Sequence, residues 1–159
     1  VLSGEIGDIE TVSAQHAQAY LHAGGEIETI RGKPLKTGDL GYLDEDGFLH
    51  ITGRAKDVII RGGINISPLE IDDLISQHPD VIEAVTFGIS DPVYGENLVS
   101  WVTVSAASNL SIADLTRYCM ENLPDAKRPK TIEIVKEIPK NNRGKIDRNA
   151  TKELWQLAQ

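Results

Sequence analysis

Near the end of this 159-residue chain, one lysine stands beside a glycine in a basic loop: Ile138-Pro139-Lys140-Asn141-Asn142-Arg143-Gly144-Lys145-Ile146-Asp147-Arg148. A lysine ammonium is a compact point charge on a long stem. A neighbouring glycine lets backbone approach a ligand closely. Lys145 therefore suits an anionic phosphate or carboxylate that is gripped and then released. Further groups lie upstream. Asp39, in Thr37-Gly38-Asp39, offers two acceptor oxygens. Arg54, in Gly53-Arg54-Ala55-Lys56-Asp57, offers a planar fork of donors. Arg61-Gly62-Gly63 removes side chains where a thin ligand could slide past backbone. Each also has a plain structural reading. Gly-Asp is common in turns, paired glycines make hairpin turns, and Lys56 could be an ordinary linker lysine. An exposed arginine more often forms a surface ion pair worth roughly 0–1 kcal/mol.

Other chemistry is not signalled. His16, His22, His50 and His78 show no metal-ligand spacing, and Cys119 falls on the apolar face of an expected helix, so structural roles are expected for all five. A single cysteine cannot form an internal disulfide and fits a reducing cytoplasm. Net charge is −8, unevenly spread. Residues 1–126 hold 7 Lys and Arg against 20 Asp and Glu, whereas residues 127–148 hold 8 against 3. An acidic body is a poor non-specific binder of nucleic acid, so no nucleic-acid partner is expected. A local basic segment fits a compact anion better. No apolar run is long enough to span a bilayer, so no transmembrane segment is expected. No signal peptide is visible at Val1-Leu2-Ser3-Gly4-Glu5, and the missing Met suggests a start inside a longer protein.

The elements that must hold these groups divide in two. Residues 1–54 read as β-rich. Gly7 to Ser13 alternates as a half-buried strand does, and Ile27 and Ile30 suggest another strand. Gly41-Tyr42-Leu43-Asp44-Glu45-Asp46-Gly47-Phe48-Leu49-His50-Ile51 reads as a hairpin closing on Asp-Gly. Gly53 to Asp57 looks like a joint. Residues 55–159 then mix strands and helices. Ser67-Pro68-Leu69-Glu70 reads as a capping box with proline at the first helical position, and the helix should stop near His78-Pro79. Val81–Ile89 and Leu98–Val104 read as strands around the turn at 91–95. Ser111 opens a second helix with Leu115, Tyr118 and Cys119 inward. Ile132, Ile134 and Ile138 share a third strand, and a short last helix holds Leu154, Trp155 and Leu157. The fold class is α+β, a small domain with a central antiparallel or mixed sheet and flanking helices, preceded by a β-rich piece.

Three segments taken together resemble the AMP-forming acyl-CoA synthetases and their relatives, the adenylate-forming family. They are Thr37-Gly38-Asp39-Leu40-Gly41-Tyr42, the run from Gly53 to Ile71, and the Lys145 loop. Their order and spacing carry more than any one alone, and the match runs from about Gly4 to Arg148. The resemblance implies that residues 55–159 are the small C-terminal lid and residues 1–54 the end of the N-terminal adenylation domain. It implies an acid-thiol ligase in which a carboxylic acid attacks ATP to give an acyl-adenylate. The acyl group then passes to CoA or to a carrier protein's pantetheine arm.

By the same resemblance Asp39 and Arg54 contact the nucleotide, Asp39 through the ribose hydroxyls. Lys56 is the hinge, Arg61, Gly62 and Gly63 approach the CoA or pantetheine arm, and Lys145 is catalytic in adenylation. ATP/AMP and CoA are implied, as is Mg2+ travelling with ATP, although no ligand set for Mg2+ stands in this sequence. Partners implied are the N-terminal adenylation domain and the acid substrate, with a place in fatty acid metabolism. The phosphate loop and acyl pocket expected upstream are absent, so the chain should not be a complete enzyme. Alternatives are the lid of a carrier-protein-loading adenylation domain, a non-catalytic module that kept the fold, and an unrelated α+β domain.

Overall fold

The computed structural model describes residues 4–158; Val1–Ser3, within the opening segment read above, and Gln159 lie outside the described residues. The chain divides into two compact units, Val1–Lys56 and Asp57–Gln159.

The first unit is all β. Strands β1 (Gly7–Thr11), β4 (Leu35–Leu43) and β5 (Leu49–Arg54) form one antiparallel sheet in the order β1-β4-β5, and β2 (Ala19–Leu21) pairs with β3 (Ile27–Thr29). The β4–β5 hairpin turns where Asp-Gly was expected. The Asp44 carboxylate accepts from the amides of Asp46 and Phe48 and meets His50 Nε2 at 2.6 Å. The His50 hydrogen bond holds the Asp44 carboxyl below the usual carboxylate range. No hydrophobic side chain of this unit is fully buried among the described residues, whereas Phe48, Leu49 and Ile51 are exposed. The unit is thus a sheet without a core of its own.

The second unit carries the core. Strands β6 (Ile59–Arg61), β7 (Ile64–Ile66), β8 (Val81–Asp91), β9 (Gly95–Val104) and β10 (Thr131–Ile134) form one five-stranded sheet. Central β9 pairs antiparallel with β8 along its whole length. Its other side meets β10 in parallel and β6 in antiparallel sense at Gly95, so the sheet is mixed. Helices α1 (Pro68–Ser76) and α2 (Ile112–Asn122) cover one face, where Ile71, Ile75, Leu115 and Cys119 meet Ala84, Leu98, Val102 and Ile132. Successive strand residues point to opposite faces. Val85, Phe87 and Val99 accordingly face the other way, and helix α3 (Arg148–Leu157) packs there, its Trp155 ring 6.2 Å from Phe87. Both indoles of this unit end on one carboxylate: Trp101 Nε1 donates to Glu133 Oε2 at 2.7 Å and Trp155 Nε1 to Oε1 at 2.9 Å.

The α+β expectation holds, with two local corrections, and the last helix holds Leu154, Trp155 and Leu157 as expected. The capping box opening α1 does not close through the Ser67 side chain. Glu70 instead pairs with Lys127 at 2.7 Å, across 57 residues. The reciprocal box does close at α2, between Ser111 and Asp114. The third expected strand ends at Ile134; Ile138 lies beyond it yet is buried, just before Pro139. On α3, Leu154 and Leu157 are exposed, and the helix seats through Thr151 and Trp155.

Candidate functional site

In the first unit, Thr37-Gly38-Asp39 is a bulge. Asp8 pairs with Leu40 and Glu10 with Lys36, so three residues of β4 oppose the single Ile9. The Thr37 hydroxyl donates to the Ile9 carbonyl at 3.0 Å and accepts from the Asp39 amide at 3.0 Å. Gly38 takes φ +76°, a left-handed conformation that a side chain would resist. Each residue of the motif therefore has a job: Thr37 clamps, Gly38 bends and Asp39 is presented. Bulges re-aim a side chain in this way. Across the hairpin Asp39 is in register with Arg54, whose Nε lies 2.8 Å from Asp39 Oδ1. The two expected nucleotide contacts are thus brought together as one charged pair.

The joint expected at Gly53–Asp57 takes the form of a single 3-10 turn, Ala55–Asp57, on which Lys56 is exposed. The second unit begins at Asp57, within that turn.

Gly62 and Gly63 are the two central residues of the β6–β7 hairpin, with Arg61 opposite Ile64. Their φ angles are +57° and +83°, the pattern of a two-residue type I′ turn. Arg61 itself points elsewhere. Its Nη1 donates to the carbonyls of Asp125, Ala126 and Arg128, and its guanidinium lies 5.4 Å from the centre of the Tyr94 ring. The side chain of Arg61 binds its own fold, while the glycine turn beside it stays open.

The Lys145 loop is a closed hairpin. The Asn141 carboxamide oxygen accepts from the amides of Arg143 at 2.9 Å and Lys145 at 3.2 Å. The Asn141 amide donates to the Lys145 carbonyl, and the Asp147 amide to the Pro139 carbonyl. Asp147 then caps α3 through the Ala150 amide. Lys145 is exposed, and its ammonium makes no ion pair among the described residues. In the same basic segment Lys127 pairs with Glu70, Lys130 with Asp91 and Lys140 with Glu83, whereas Lys136 and Arg143, like Lys145, are in no ion pair among the described residues.

Sequence reading missed one cluster altogether. Arg148 joins Asp57, Asp72 and the Thr86 carbonyl. Burial raises the Asp72 carboxyl to about 6 against the pull of the Arg148 charge. Burial likewise pushes the Cys119 thiol up to about 11, which leaves it protonated and unreactive at neutral pH. Of the histidines, His50 pairs with Asp44, His22 with Glu28, and His78 sits edge-on to Tyr118. Among the described residues no group of three or more His, Cys, Asp or Glu could hold a metal ion, so the donor set does not fit a resident Mg2+. No described helix is long and apolar enough to cross a membrane.

Residues 70–145 match the family model of the AMP-binding enzyme C-terminal domain. The chain is 44% identical over 114 residues to the sulfoacetate–CoA ligase of Cupriavidus necator, covering 72% of this chain and 22% of that protein. It superimposes on the anthranilate CoA ligase AuaEII in complex with anthranoyl-AMP with a TM-score of 0.85 at 33% identity, over 99% of this chain and 31% of that one. ATP-bound MatB from Rhodopseudomonas palustris gives a TM-score of 0.84 at 28% identity, over 98% and 31%. The chain spans about a fifth to a third of the length of the curated relatives it matches. With its ordered motifs, its mixed sheet and this likeness to CoA ligases, the chain belongs to the adenylate-forming family, and residues 70–145 are its AMP-binding enzyme C-terminal domain.

Proposed function

We propose that the chain is the C-terminal catalytic lid of an AMP-forming acid-thiol ligase, with the end of the adenylation domain that it closes. In the first half-reaction a substrate carboxylate oxygen attacks the α-phosphorus of ATP. The bond from that phosphorus to the bridging oxygen breaks, and pyrophosphate leaves. In the second, the CoA sulfur attacks the acyl carbon, AMP leaves, and the thiol proton is lost.

Lys145 is the adenylating residue. Negative charge concentrates on the α-phosphate and the attacking carboxylate, and a preorganised cation stabilises it. Asp39 accepts from the ribose hydroxyls while Arg54, steadied by it, reaches nucleotide oxygen. Lys56 is the pivot, and its 3-10 turn absorbs the φ/ψ change of rotation. Gly62 and Gly63 give the pantetheine arm a bare turn to pass, and Arg61 holds that turn's base. The ligases the chain resembles are named for acids as different as sulfoacetate and anthranilate. A cytoplasmic setting suits the free Cys119.

One observation supports this reading most. The hairpin fixes the backbone of Lys145 on both sides, its amide on the Asn141 side chain and its carbonyl on the Asn141 amide, yet leaves its ammonium free of any ion pair among the described residues. In the intact enzyme that contains this chain, Lys145→Ala should slow adenylation on the order of 10²–10³-fold. Transfer from supplied acyl-adenylate to thiol should be far less affected. Equal damage to both half-reactions would sink the assignment.

A further inference from the structure

Four elements of the second unit meet on one guanidinium. Arg148 Nη1 lies 3.3 Å from Asp57 Oδ2, its Nη2 bonds Asp72 Oδ2, and its Nε donates to the Thr86 carbonyl at 2.7 Å. Asp57 is the first residue of the unit, Asp72 lies on α1, Thr86 on β8, and Arg148 opens α3 three residues after Lys145. The three charged side chains are largely withdrawn from water, at 22, 14 and 10% exposure.

A neutralised buried charge would be an ordinary structural feature, but two details go beyond that. A cation at the first residue of a helix opposes the helix dipole, so α3 itself gives no reason for arginine there. The fork is also not spent on one carboxylate. It is divided among three elements, with Asp72 Oδ1 left buried and unpartnered. Buried ionic clusters are weak contributors to stability but can fix one geometry. Here the geometry fixed is the base of the Lys145 hairpin. Lys140, on the incoming arm, is pinned to Glu83 at 2.7 Å, and Arg148, just past the outgoing arm, is pinned to Asp57 and Asp72.

We propose that Arg148 is a positioning residue: bonded to Asp57 and Asp72, it holds the Lys145 hairpin at a set place relative to the start of the second unit, so that rotation at the joint delivers the Lys145 ammonium to one point. This rests on Lys145 being the adenylating residue. On that reading adenylation needs the hairpin in place, whereas thiol transfer does not depend on Lys145. A displacement of about 1 Å at a reacting group can cost on the order of 10²-fold in rate.

The test uses the intact enzyme that contains this chain, with Asp57→Asn, Arg148→Lys, their double variant, Arg148→Ala and Lys145→Ala. Pyrophosphate release and thiol transfer from supplied acyl-adenylate are measured separately. Asp57→Asn and Arg148→Lys should each lower kcat for adenylation by about 10- to 100-fold, with KM for ATP and thiol transfer little changed. Arg148→Lys should be milder than Arg148→Ala, since it keeps the charge but loses the fork. The double variant should be no worse than the more impaired of the two singles, because both act through one network. Amide exchange at Lys145 and Asp147 should rise more than in α2, which also serves a variant too unstable to assay. Normal adenylation in Asp57→Asn, parallel loss of both half-reactions, multiplicative losses, or uniform amide loosening would each overturn the proposal. If Lys145→Ala adenylates normally, the underlying assignment falls instead and takes this one with it. If Lys145→Ala is slow while Asp57→Asn is normal, only the positioning role is lost.

Discussion

Asp39 and Arg54 are register partners across one hairpin, joined at 2.8 Å, and each is placed by a backbone irregularity. Asp39 sits on the bulge opposite Ile9, and Arg54 lies two residues past the slip at Thr52, where β5 carries one more residue than β4. With Arg54 half exposed, the pair adds little to stability. Its worth lies in presenting a carboxylate and a guanidinium side by side. In the intact enzyme Asp39→Ala and Arg54→Ala should each weaken ATP binding by roughly 10- to 100-fold, the range for a hydrogen bond to a charged group. The double variant should lose less than the product of the singles. Binding isotherms for ATP decide it, and fully multiplicative losses would show two independent contacts.

Lys56→Pro tests the pivot. Proline fixes φ, removes a donor, and pushes Ala55 out of the helical region that the 3-10 turn requires. On the proposed mechanism adenylation precedes the rotation and thiol transfer follows it. The variant should therefore lose transfer more than adenylation, read by single-turnover assays of each step. Unchanged transfer would remove Lys56 from the role.

Asp72 gives a pH signature. Burial raises its carboxyl from 3.8 to about 6 in the folded chain, against the pull of the Arg148 charge bonded to it. Between those values the folded state holds more protons than the unfolded one, so this group's contribution falls as pH rises from about 4 to 6. Depressed carboxyls such as Asp44 and Asp114 act in the opposite sense, losing their contribution as pH falls below the usual range. Asp72→Asn cancels only the first effect. Relative to the unchanged chain, the variant should gain at most on the order of 3 kcal/mol between pH 4 and pH 7. Urea unfolding at both values measures it, and a constant offset would count against the raised value.

The two units should also differ in protection. Amides of β8 and β9 should exchange slowly in the 159-residue chain, because both faces of their sheet are covered. Amides of β1, β4 and β5 should exchange far faster, lacking any buried apolar side chain beneath them. ATP should bind this chain weakly or not at all, since it spans only part of the relatives' length. Hydrogen exchange and calorimetry check the two halves, and tight ATP binding would point to a self-sufficient nucleotide site.

Much of this was legible because the signals are local. Ser111 and Asp114 sit three apart and close a cap; Asp44 and Gly47 write a turn; Gly62-Gly63 forces a two-residue hairpin. What escaped depends on long-range partners. Ser67 and Glu70 have capping-box spacing, yet the Ser67 side chain makes no cap hydrogen bond and Glu70 pairs with Lys127. Arg61 reads as part of an open loop, but its guanidinium finds carbonyls more than sixty residues on. Arg148 looks like one more charge in a basic run. Only the folded sheet shows that its partners lie 91 and 76 residues back.

Both tryptophans of the chain belong to the second unit and hydrogen-bond the two oxygens of Glu133, one from a strand and one from α3. Indole emission from this chain is therefore an optical channel blind to the first unit, whose aromatic side chains are two tyrosines and a phenylalanine. Lifting α3 from the sheet breaks one indole contact and leaves the other, so quenching and spectral shift report the seating of the helix that begins three residues after Lys145. The protein carries its own fluorescent gauge of that helix, with no label required.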